Sequence, residues 1–108
     1  MTPEDFRDLA LAMPDAVEMA HMGHPDFRVK NKIFASLFPE DGWGMVKLTP
    51  EQQATFLRSA PETYKPANGA WGRNGATIVT LKHARETQIR EALEMAVQNV
   101  GTKRRIKK

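Results

Sequence analysis

The sequence predicts an α+β fold, an antiparallel sheet of about five strands with three helices, resembling no simple helix–strand alternation. Three observations predict it. Two Thr-Pro-acid segments, at residues 2–5 and 49–52, have the chemistry of helix starts. A third helical stripe lies near the end of the chain. The extended runs are grouped between the first two helices instead of alternating with helices, which favours antiparallel pairing over crossover units. The expected order is therefore helix, three or four strands, helix, strand, helix.

The first helix begins at Thr2-Pro3-Glu4-Asp5, with Thr2 as N-cap, Pro3 in the first helical position and acids facing the positive end of the helix dipole. Phe6, Leu9, Ala10 and Met13 recur at helical spacing, and Pro14 ends the helix near Met13. Strands are expected over 17–21, 26–29, 32–38 and 44–48. Lys30-Asn31 separates two of them, and Asn tolerates the left-handed conformation that a tight hairpin needs. The second helix starts at Thr49-Pro50-Glu51-Gln52, buries Ala54, Phe56 and Leu57, and stops before Pro61. Asn74-Gly75 reads as a hairpin turn leading into a strand over 77–81. The last helix spans about 85–100, with Ile89, Ala92, Leu93, Ala96, Val97 and Val100 as its apolar stripe and Gly101 as its stop. The run 60–74 has two prolines, two glycines and Trp71 with little periodicity. It is long for an idle connection.

The 108 residues suit one domain with its own core, taken as residues 1–101, followed by a basic tail over 102–108 expected to be disordered. There is no cysteine, so disulfides, thiolate catalysis and cysteine-bound zinc are excluded. The acidic start MTPEDF lacks the layout of a signal peptide, and no apolar run is long enough to span a bilayer. A soluble, cytoplasmic monomer without a membrane role is expected. The net charge of +3 comes from the end of the chain. KRRIKK holds five of the 16 Lys and Arg, leaving 11 basic and 13 acidic groups before it.

The segments GHPDFRVKNKIFASL, VKLTPEQQ and GAWGRNGAT, in that order and spacing, resemble the MmcQ/YjbR family of small bacterial proteins. The combination of HPDFRV, KIFA and AWGR carries the resemblance, which extends over nearly the whole chain. It implies a CyaY-like fold with helices on one face of an antiparallel sheet, and a double-wing mode of DNA binding. Two departures stand out: Asn31 where the family has a glycine, and the KRRIKK tail.

Under that reading the first wing is the hairpin bearing Arg28, Lys30 and Lys32. Asp26, Arg28 and Lys30 alternate onto one face of an extended chain, with Lys32 near them after the turn. Three cations there suit phosphate oxygens. The plainer reading is an ordinary solvated strand face, with Asp26 partly neutralising Arg28. The second wing is Trp71-Gly72-Arg73-Asn74-Gly75, where Arg73 offers a phosphate contact, Asn74 a hydrogen bond and Trp71 a stacking surface. A tryptophan after a Pro/Gly-rich loop more often closes the edge of a core. Lys103, Arg104 and Arg105 in the tail add charge that holds phosphates without sequence preference.

His21, His24 and Asp26 supply at most three metal ligands, short of a convincing site, and no metal or other cofactor is expected. His24, Pro25 and Asp26 read first as a structural turn in which His24 and Asp26 bond the backbone. No catalytic constellation is recognisable. The expected function is sequence-tolerant, non-enzymatic DNA binding. The alternatives are a protein- or peptide-interaction module using an open sheet face or edge strand, and an enzyme with a pocket near His24, Asp26 and Trp71. The methionines Met13, Met19, Met22, Met45 and Met95 read mostly as core.

Overall fold

The computed structural model describes residues 1–102. Its elements are α1 (Pro3–Leu11), β1 (Val17–His21), β2 (His24–Val29), β3 (Lys32–Phe38), β4 (Trp43–Lys47), α2 (Pro50–Ser59), β5 (Tyr64–Pro66), α3 (Gly69–Arg73), β6 (Ala76–Thr80) and α4 (Glu86–Thr102), with a 3-10 turn at Leu81–His83 before α4. The strands form one antiparallel sheet in the order β1-β2-β3-β4-β6-β5.

Both Thr-Pro starts form reciprocal caps. The Thr2 hydroxyl accepts from Asp5 N–H at 3.1 Å while the Asp5 carboxylate accepts from Thr2 N–H at 3.0 Å. That bond holds the Asp5 carboxyl below its usual carboxylate range. Thr49 and Gln52 repeat the arrangement at 3.1 and 2.9 Å, so two otherwise orphaned helix-start donors are satisfied at each site. Two tight turns build the hairpins. Met22-Gly23 joins β1 to β2 and Lys30-Asn31 joins β2 to β3, each with two successive positive φ angles, the signature of a turn that matches strand twist.

One face of the sheet carries the core. Phe27, Ala35, Leu37, Val46 and Val79 pack there against Phe6 and Ala10 of α1, Phe56 of α2, and Ile89, Leu93 and Ala96 of α4. Phe6 lies directly over Gly44, where a Cβ would come within 2.9 Å of its ring. Because side chains alternate along a strand, Asp26, Ser36, Met45 and Ile78 point to the opposite face, where they align in register across β2, β3, β4 and β6.

Several expectations are corrected. The sheet has six strands, because Tyr64–Pro66 pairs with β6. Asn74-Gly75 does not make a hairpin turn: residues 69–73 form α3, Asn74 is its C-cap, and Gly75 returns the chain to β6. Gly75 adopts φ +112°, and a Cβ there would sit 1.9 Å from the Leu48 carbonyl oxygen, so the position requires glycine. Gly101 does not stop α4, which includes both Gly101 and Thr102. Ala54 is exposed, leaving Phe56 as the buried residue of α2. Met19 and Met22 are exposed as well, because one lies on the edge strand and the other at a turn tip. Lys103, Arg104 and Arg105 lie outside the described residues.

Candidate nucleic-acid interface

The topology brings two loops distant in sequence to one end of the sheet. The Lys30-Asn31 turn marks the end at which β3 begins. Antiparallel pairing makes β4 finish and β6 begin at that same end, so Lys47, Asn74 and Gly75 lie there too. The last turns of α4 reach the same end, where the Asn99 amide donates to the Lys47 carbonyl and to Gln52 Oε1, both at 2.9 Å. Lys30, Lys32, Arg73 and Asn74 are exposed. Asp15 and Glu51 belong to segments at this end, whereas Glu40, Asp41 and Glu62 belong to connections at the other.

The first wing is less cationic than its sequence implies. Arg28 is turned back onto Asp26, with Nε 2.8 Å from Oδ1 and an amino nitrogen 3.1 Å from Oδ2. Asp26 is fully buried, so its carboxylate needs this fork. The same bond raises the Arg28 pKa above its ordinary value. A register shift between Phe27 and Arg28 then sets Arg28 opposite Ile33 and Lys32 opposite buried Val29. Lys32 therefore starts from the helix-covered face and Arg28 from the open face, instead of sharing one. Lys30 and Lys32 carry the free charge of this turn.

On the open face His24, Phe38 and Trp43 form a row across three strands, with ring centroids 4.0 and 4.1 Å apart. His24 Nδ1 lies 3.4 Å from the Pro25 carbonyl oxygen. The backbone does fold back within four positions, pairing His21 with His24. Asp26, however, is bonded to Arg28 and does not bond the turn backbone in the manner expected from sequence. Among the described residues no group of three or more His, Asp or Glu is gathered to hold a metal ion.

Trp71 does not close the core. It is 69 % exposed, and it forms one wall of a cleft of about 230 Å³ whose other residues are Phe38, Trp43, Met45, Ala67, Asn68 and Ile78. His24 and Asp26 are not part of that lining. Sequence reasoning missed Phe38, Trp43 and Asn68 here. Alternation along β3 and β4 was the available signal for the first two, since Phe38 and Trp43 pair directly. Nothing local pointed to Asn68.

These features define a class: a small α+β domain whose antiparallel sheet is backed by its long helices on one face, while the other face carries none of them and buries Asp26, Ser36, Met45 and Ile78 beneath its own side chains. The chain belongs to the YjbR family, whose model matches residues 11–98. The crystal structure of Deinococcus radiodurans protein DR2400, which carries a DUF419 domain, is similar in fold, with a TM-score of 0.75 at 20 % identity over 94 % of this chain and 79 % of that one. No curated protein matches the chain. No helix among the described residues is long and apolar enough to cross a membrane.

Proposed function

We propose that this chain is a non-enzymatic DNA-binding domain that grips the phosphate backbone with the end of the sheet bearing Lys30, Lys32 and Arg73. The observation that supports the reading is the convergence of the Lys30-Asn31 turn and the Arg73-Asn74 segment at one sheet end. Two exposed cationic loops set apart across a sheet suit two phosphate rows, and Asn74, next to Arg73, suits a groove edge. Arg28 is assigned a structural role through Asp26, not a phosphate contact. The tail residues Lys103, Arg104 and Arg105 would supplement this charge.

Fluorescence anisotropy with a labelled duplex of about 20 base pairs tests the proposal. Binding at low salt by the full chain and by a chain ending at Thr102, lost in the Lys30→Ala/Lys32→Ala/Arg73→Ala variant, is the expected result. Absence of binding by the full chain at low salt would overturn it. A second reading, a module for a protein partner, has one observation in its favour. Edge strand β1 (VEMAH) contains neither lysine nor proline and exposes Val17 and Met19. Salt-resistant binding of a protein partner, abolished by Met19→Lys, is what that reading requires.

A further inference from the structure

We infer that the cleft between Trp43 and Trp71 is a subsite for an unpaired nucleobase, so that the domain prefers single-stranded over duplex DNA. This deepens the DNA-binding reading and rests on it. Three features of the cleft carry the inference. Its walls are aromatic and apolar, with Phe38, Trp43 and Trp71 around a floor of Met45 and Ile78, and its volume of about 230 Å³ suits one planar heterocycle. Every base has a π-face, so such a slot accepts bases without regard to sequence.

The second feature is Asn68. It occupies the N-cap position of α3, yet its side chain makes no capping hydrogen bond to the helix. Asn68 belongs to the cleft lining, and its amide has a donor and an acceptor to offer a base edge. The third is charge. Lys65 pairs with Ile78 and Lys47 lies two residues beyond Met45, so both share the face on which the cleft opens. These cations can hold the phosphates on either side of an inserted base. An aromatic side chain of a protein partner would fit the apolar walls but would leave the cations unused.

The assay is direct because the chain has only two tryptophans and both line the cleft. Indole emission of the full chain is titrated with an oligothymidylate of about 12 nucleotides, an abasic strand of the same length and a duplex of the same length. The expected result is saturable quenching by oligothymidylate, binding at least about tenfold tighter than to the abasic strand or the duplex, and a loss of about tenfold or more in Trp71→Ala. The exposure of Trp71 means that its removal leaves the core intact. Asn68→Ala, on the same surface, is expected to weaken the same binding while duplex affinity stays unchanged.

Equal affinity for oligothymidylate and abasic strand would overturn the subsite while leaving phosphate-driven DNA binding in place. Quenching by an aromatic peptide but not by oligothymidylate would also overturn it, and would assign the cleft to a protein partner. Failure of every nucleic acid to bind would overturn both the subsite and the function on which it rests.

Discussion

Asp26 has no accessible surface, and Arg28 supplies two hydrogen bonds to its carboxylate. Removing one partner of such a pair leaves a buried charge without compensation, which costs more than the pair itself contributes. Arg28→Ala is therefore expected to destabilise the fold clearly, read as a lowered urea midpoint. Asp26→Asn/Arg28→Met should recover much of that loss; equal stability of Arg28→Ala and the native chain would refute the structural role. Tyr64 makes a second prediction. Burial, with a smaller contribution from Glu91, pushes its phenol from 10.0 up to about 12. The raised folded pKa means that the native state holds this proton more tightly than the unfolded chain. The resulting stability is complete below about pH 10 and is lost as pH rises through about 12, an amount of roughly 2 to 3 kcal/mol. Alkaline unfolding curves should show that loss in the native chain and a flatter profile in Tyr64→Phe.

Helix starts were the most legible elements because a cap is a local device. Thr, Pro and the third helical residue satisfy each other without help from distant parts of the chain, and both caps form as the residues dictate. Thr49→Ala is expected to cost about 1 kcal/mol in thermal or urea unfolding. Thr2→Ala should cost less, because only at Thr49 does the capping residue Gln52 also accept a bond from Asn99 of α4. The elements that escaped the sequence are those held by remote partners. β5 is three residues long and ends in proline, and α3 is a single turn containing two glycines. Neither has enough periodicity to announce itself. They are fixed by the Ala67 N–H to Ala76 carbonyl bond at 2.9 Å, and by the Gln53 amide reaching the Gly72 and Ala76 carbonyls at 3.1 and 3.0 Å.

At the scale of the whole molecule, what matters is which cations remain free once the chain has folded. The described residues at the proposed interface offer Lys30, Lys32 and Arg73 as unengaged charges, while Arg28 is committed to Asp26. About three phosphates neutralised by a chain ending at Thr102 imply a log–log salt slope near −3, from roughly −0.9 per contact. Anisotropy titrations across salt concentrations measure this slope directly. A slope of zero would exclude phosphate neutralisation. A slope near −3 that persists in the Lys30→Ala/Lys32→Ala/Arg73→Ala variant would move the interface elsewhere.

The amino-acid sequence by itself determined the α+β class, the three long helices, the four longer strands in outline, and the family through HPDFRV, KIFA and AWGR. Those features are written in short-range chemistry: caps, apolar periodicity and turn residues. Only the tertiary structure decided which charges are free, because Arg28 is spent on a carboxylate whose burial depends on the sheet around it. It alone set Lys32 opposite Val29, through a register shift that strand alternation does not reveal. It alone joined Trp43 to Trp71 across 28 positions of chain, because the pairing of β4 with β6 sets α3, which leads into β6, beside the strand that carries Trp43.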